Sequence, residues 1–389
     1  MIKLNALHWL LPMTALACVG RGETLIELNY DYGTLDTFRS AIPTEERLVA
    51  GVPAAAGGDT TGADDAAAVL AEQGVVFARG INRNARDVAR TLQQLVSEDP
   101  DHFNPEREEF IWGPWRSPSG PGELTLSIQR HPSVMDFEYS YALIRSMPGD
   151  EHSDTPVIWG GANLDPDNAN HGTGLTAVDL DANAAFEAAH GEEAELDPAV
   201  GQGRFAMVHG YAKHGSDSVF FNRASFRDYV PPAESRATML APATVEHFYG
   251  RMAESSGTIV DFLHSEIDSD LCGADPNSCF GTTLVQGHPE RFVFGEFVVD
   301  NGLGRADVRL SGGDLASQVE MTECWNASLT RTSYQLTTDD GTVQMMPSAS
   351  CPGRAAQSSE ELGLPTPDDV QPWLLYALGC AVESNCSGG

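Results

Sequence analysis

From about Phe110 to Met346 the apolar residues recur at every second position, and this period constrains the fold more than any other feature of the chain. Leu124, Leu126 and Ile128 alternate with Thr125, Ser127 and Gln129. Phe137, Tyr139, Tyr141 and Leu143 share one parity, as do Phe205, Met207, His209 and Tyr211. A period of two belongs to a strand with one buried face. In RFVFGEFVVD-NG-LGRADVRL, strand-like runs flank Asn301-Gly302, a pair that tolerates the positive φ angles of a type I′ hairpin turn. Gly312-Gly313-Asp314 then leads into Val319–Trp325, and Asp340-Gly341 follows another strand near Leu329–Leu336. Short turns without regular helices between the strands predict an antiparallel meander rather than βαβ units. So long a sheet avoids bare edges by curling toward a barrel or folding into a sandwich. A membrane-spanning barrel does not fit, because the strands carry too many charges and lack aromatic girdles.

Ahead of the sheet the period changes. Ala66 to Gln73 is rich in alanine, and Ile81, Ala85, Val88, Ala89, Leu92, Leu95 and Val96 fall at three- and four-residue intervals. That spacing makes one apolar helix face, closed off by Pro100 and Pro105, and predicts a helix lying on the sheet. Thr24 to Tyr32 alternates briefly, and residues 53–66 are small, Gly-rich and acidic, as in a linker or exposed loop. The expected divisions are a leader at 1–17, an N-terminal segment and linker at 18–66, a helical segment at 67–105, an antiparallel β domain at 106–346 and a tail at 347–389. A short helical pattern occupies Val370 to Leu378 within the tail.

The leader MIKLNALHWLLPMTALA has one lysine followed by an apolar run, Leu7 to Ala17. As a helix this run is too short to cross about 30 Å of hydrocarbon. It has the layout of a secretory signal. Its end, Ala15-Leu16-Ala17-Cys18, resembles the lipobox of bacterial lipoproteins. The resemblance implies a diacylglyceryl group on the Cys18 thiol, cleavage just before it, and firm attachment through several acyl chains. An ordinary cleavable signal is the other reading. Val19, rather than Asp, follows the cysteine, and by the sorting rule of such lipoproteins this implies the outer membrane. The expected location is therefore the cell envelope, lipid-anchored on the periplasmic face or the cell surface.

Seven cysteines are present. With Cys18 set aside, Cys272, Cys279, Cys324, Cys351, Cys380 and Cys386 remain, an even set that reads as disulfides in an exported chain. Proximity favours Cys272 with Cys279 across GADPNS and Cys380 with Cys386 across AVESN, leaving Cys324 for Cys351. Other pairings stay open. Zinc is the rival reading, but the spacings contain no CxxC.

The 56 acidic residues face only 23 Lys and Arg, for a formal charge of −33. No basic stripe exists to release counterions from nucleic acid, and anionic headgroups would repel this surface. The imbalance reads as a solubilising surface, or as a means of capturing cations. No GxSxG, HExxH or GxxxxGK[ST] occurs. His171–Gly174, HGTG, lacks a matching serine motif, and His209 and His214 lack a third ligand. Asp165, Asp167 and Asn170 form one acidic loop, and Asp268 and Asp270 another. Asp179, Asp181 and Asn183 have calcium-loop spacing, but Ala184 and His190 stand where such a loop needs Gly and Glu. No catalytic residue, metal site or cofactor is expected.

The lipobox, the helix, FIWGPWRSP, NGLGRADVRLSGGDL and VEMTECWNASLTRTSY follow one another in an order that resembles a group of bacterial envelope lipoproteins with a GRAD…SGGDL…ECW pattern. The likeness covers residues 1–346. It implies export and a β-sheet body, and no activity that could be carried over. The expected function is that of a membrane-anchored envelope protein acting in structure or partner binding. A carrier of an apolar ligand such as a lipid, held within a curled sheet, is the alternative, and a hydrolase with a dispersed site is the third reading. Trp112, Trp115 and Trp325 would anchor the core or line a pocket.

Overall fold

A computed structural model describes residues 32–48, 82–83, 85–117, 120–130, 137–165, 172–191, 202–214, 217–230, 243–269, 290–299, 302–312, 318–328, 330–338 and 341–346. Among the described residues two helices come first, α1 (Tyr32–Ala41) and α2 (Glu45–Leu48), followed by α3 over residues 85–95. The strands then run β1 (His102–Asn104), β2 (Glu109–Arg116), β3 (Glu123–Arg130), β4 (Tyr139–Met147), β5 (Asp150–Asn163) and β6 (Thr173–Asp179). Helix α4 (Leu180–His190) leads into β7 (Gln202–His214), β8 (Asp217–Val230), β9 (Ala243–Ala253), β10 (Ile259–Ser269) and β11 (Glu290–Val299). The chain continues through β12 (Gly304–Gly312), β13 (Val319–Trp325), β14 (Arg331–Thr338) and β15 (Gly341–Met346).

The fold is mainly β, and among the described residues the sheet is one antiparallel meander of 15 strands in strict chain order. Within those residues it does not close into a barrel, and β1 and β15 are its edges. Both the meander and the helical segment packed on it agree with the reading of the sequence. One core cluster joins Leu35, Phe38 and Ile42 of the α1 region, and Val88, Ala89 and Leu92 of α3, to inward residues from Phe110 on β2 to Val245 on β9. Laid flat, those strands would span about 34 Å at about 4.8 Å per step, whereas a helix is only about 10 Å wide. The sheet must therefore bend around the helices. Helix α1 lies against β3, β4 and β5, α2 against β7, and α4 against β4, β5 and β7.

A second cluster sits on the opposite face: Phe137, Leu175, Ala177, Ala206, Val208, Phe221, Phe248 and Phe262 among others. Along β6 and β7 alternate residues go to different clusters, Phe205 and Met207 to the first, Ala206 and Val208 to the second. The parity expected for these residues is thus kept, with one correction. Phe137 precedes β4 and belongs to the second cluster, away from Tyr139, Tyr141 and Leu143.

Several glycines recur opposite rings. Gly160 pairs with Tyr141, Gly174 with His209, Gly210 with Phe221, Gly250 with Phe262 and Gly304 with Trp325. In each pair the aromatic side chain lies over the glycine where a Cβ would otherwise stand. An absent side chain on one strand gives a flat ring room on the next.

Two helices were not expected. Helix α1 forms within the 18–66 segment, with Leu35 and Phe38 on its buried face, whereas the alternating stretch from Thr24 and the linker at 53–66 lie outside the described residues. Helix α4 interrupts the β domain, because Asp179 is its N-cap and accepts from the Ala182 N–H at 2.7 Å. Of the expected Asn301-Gly302 turn, Gly302 has φ +81° and β11 pairs with β12 from Val298↔Gly304; residues 300 and 301 lie outside the described residues.

Candidate functional site

Polar residues gather on the inward face of β6 to β10, where the cross-strand register aligns them. His209 stands opposite Asn222, Asn222 opposite Tyr249, His247 opposite Ser265, and Arg251 opposite Asp261. These positions keep the parity of the core, and His209, Asn222, His247, Tyr249, Asp261 and Ser265 are buried among apolar neighbours, while the Arg251 side chain stays half exposed.

Asn222 is 1 % exposed and donates through Nδ2 to the carbonyls of Arg47, at 3.5 Å, and Leu48. Those are the last carbonyls of α2, which lack partners within so short a helix. Asn222 thus ties α2 to β8. Arg47 is buried, and burial lowers its guanidinium pKa, an effect that Tyr141 partly offsets. Tyr141 OH lies 2.6 Å from Thr176 Oγ1 and donates to the Leu175 carbonyl at 3.1 Å. Burial raises the Tyr141 phenol well above its usual range.

The two histidines of this face are held neutral. Burial lowers His209 to about 3, helped by the nearby positive charge of Arg47, and neither ring nitrogen has a hydrogen-bond partner among the described residues. Burial also lowers His247 to about 3, helped by His264. Its Nδ1 is 2.8 Å from Ser265 Oγ. Ser265 and His247 resemble a nucleophile–base pair in distance alone. Both are closed off at 0 % and 1 % exposure. The nearby carboxylate of Asp261 is engaged by Tyr249 OH at 2.6 Å and by Arg251 at 2.9 and 3.0 Å. That pairing raises the Arg251 guanidinium further.

One register step beyond this row the inward face opens. A cavity of about 300 Å³ lies between α2 and the ends of β7 to β10, bounded by Glu46, Tyr211, Ser218, Phe220, Arg251 and Ile259. Ile259 is the large hydrophobic residue that remains exposed among the described residues, at 40 %.

Of the residues singled out by sequence, Cys18, Cys272, Cys279, Cys351, Cys380 and Cys386 lie outside the described residues, as do His171, Asp167, Asn170 and Asp270. Cys324 is on β13, fully buried and disulfide-bonded. Trp112 and Trp325 are fully buried, and Trp115 packs partly against the core cluster that holds Trp112. The calcium-loop spacing has another cause. Asp179 caps α4, Asp181 accepts from the Gly203 N–H at 2.7 Å, and Asn183 accepts from Arg145 at 2.7 Å. No group of three or more metal-binding side chains occurs among the described residues. Tyr249, Arg251, Asp261, His247 and Ser265 were missed. Their signal was available as titratable residues at inward parity in ATVEHFYGRMA and IVDFLHSEIDS, but both parities of these strands are apolar, which hides the inward one.

Comparison with protein-family models, with curated proteins and with solved structures gives no match.

Proposed function

We propose that the chain is an exported envelope protein, anchored through lipid on Cys18, that acts by structure or by binding a partner rather than by catalysis. The observation that carries the binding side of this reading is the packed interior. Where a lipid carrier needs a hollow, Leu35, Phe38, Ile42, Val88 and Leu92 stand at 0–2 % exposure against the strands. An apolar side chain packed at interior density leaves no volume for an acyl chain. The Ser265–His247 pair adds no argument for hydrolysis, since both side chains are closed off at 0 % and 1 % exposure. The anchoring side rests on the lipobox resemblance; among the described residues no helix is long and apolar enough to cross a membrane.

Fractionation of cells expressing the chain tests the anchor. Cys18→Ser should move the protein from membranes to the soluble fraction, and retention of the variant on membranes would end the lipobox reading. Organic extraction of the purified protein tests the interior. Stoichiometric lipid would favour the carrier. Turnover in a hydrolase panel that disappears on Ser265→Ala would favour an enzyme.

A further inference from the structure

We propose that the cavity between α2 and the β7–β10 end of the sheet binds a small organic cation with an apolar body, of the alkylammonium or quaternary-ammonium class. The inference is independent of whether Cys18 carries lipid.

Its volume of about 300 Å³ is at the lower end of small-molecule sites. Tyr211 and Phe220, directly opposed across β7 and β8, contribute two half-buried rings. Ile259, 40 % exposed, adds apolar surface to the rim. The walls therefore suit an apolar body.

Charge decides its head group. Two acids open α2, and they differ in their commitments. Glu45 pairs with Arg86 at 3.1 Å and with Arg90, whereas Glu46 makes no ion pair with the described residues and faces the cavity. Arg251 is the cavity's one cation among the described residues, and its charge is matched in a two-point pair with Asp261. The uncompensated charge of the cavity is therefore the carboxylate of Glu46. A cation placed between it and the ring faces would gain from the carboxylate and from the ring quadrupoles together. The formal charge of −33 adds a long-range field of the same sign.

The test is titration calorimetry at low salt, with the full chain in nonionic detergent. The probes are choline and its neutral carbon isostere, in which a quaternary carbon replaces the nitrogen. Choline should bind about tenfold tighter than the isostere. Glu46→Gln should erase that advantage, and Ile259→Arg should abolish binding of both. Both sites are exposed, so unchanged circular dichroism and melting are expected of the two variants. The proposal is overturned by absence of choline binding at millimolar concentration, or by equal binding of the isostere. It is likewise overturned by choline binding that survives both substitutions, which would place the cation elsewhere on the acidic surface. Preferential binding of the corresponding tert-butyl carboxylate would overturn it too, because Arg251 would then govern the site.

Discussion

Acidification from pH 7 to pH 5 should weaken the fold through two histidines, and the size of the effect follows from their burial. His209 and His247 are 2 % and 1 % exposed, and this burial pushes both rings down to about 3 in the native state. In the unfolded chain a histidine titrates near about 6.5. Below that value the unfolded state binds protons that the native state refuses, so stability falls as pH falls. The loss runs from about pH 6.5 down to about pH 3 and stops there, where the native rings protonate as well. Each histidine contributes a slope of about 1.4 kcal/mol per pH unit. Between pH 7 and pH 5 the two together remove about 4 kcal/mol, a large part of the usual 5–15 kcal/mol of a folded domain.

The assay is urea unfolding at pH 7, 6 and 5, followed by the fluorescence of the buried Trp112 and Trp325. The comparison protein carries His209→Gln and His247→Gln. Its amides cannot protonate in this range, while every carboxylate is unchanged, so the difference between the two pH profiles isolates the histidines. The double variant should be less stable at pH 7, because His247 loses its ring contact with Ser265, but its profile should be flatter by about 2 kcal/mol per pH unit or more. Parallel profiles in the two proteins would refute the reasoning and imply that these rings reach water or a partner in the native state.

Three further outcomes are expected. Arg145→Met should cost about 3–5 kcal/mol in urea unfolding, because Glu187, 2.6 Å from the guanidinium, would be left as a buried charge; adding Glu187→Leu should restore most of the loss. Gly250→Ala should cost about 1–3 kcal/mol by overpacking, since its methyl would fall within the Phe262 ring, and Phe262→Leu in the same chain should relieve part of it. Non-reducing peptide mapping should find Cys324 in a bridge, with Cys351 as its expected partner; a free Cys324 thiol in protein from the native envelope would contradict the disulfide.

Architecture was legible from the sequence wherever one period dominated. Leu124, Leu126 and Ile128 are buried as the alternation requires, and Ala85, Val88, Ala89, Leu92 and Leu95 are buried on one helix face. Legibility failed where a local signal had two physical uses. Asp179, Asp181 and Asn183 have the spacing of a cation loop, which Ala184 and His190 already break, but the helix start they make instead shows only in the Asp179 cap and in the contact of Asn183 with buried Arg145. Phe137 fits the parity of β4 but precedes the strand, where the backbone no longer carries that parity. The inward polar row was hidden for a different reason. β6 to β10 have apolar residues on both faces, so His209, His247 and Asp261 do not break an alternation that is already blurred. Register, a long-range property, brings them together.

The paired glycines connect this architecture to the proposed activity. A sheet that wraps helices needs its inward side chains to occupy little depth, and a ring lying flat over a glycine occupies less than two side chains standing side by side. Tyr141 over Gly160 and His209 over Gly174 do this directly beneath the helical layer. The device also explains how His209 becomes so fully desolvated: its ring is pressed against backbone on one side and lies near buried Arg47, beneath α2, on the other. Toward the β7–β8 tip the pattern changes. Gly210 accommodates Phe221 on the opposite face, while on the inward face Tyr211 and Phe220 are paired with each other, and Phe220 with Arg251, rather than with a glycine. Two rings opposed in this way cannot both settle into the space of an absent Cβ, and both line the cavity beside α2. Phe220→Gly should remove one of the two ring faces and weaken choline binding while leaving the buried His209 and its pH profile as they are.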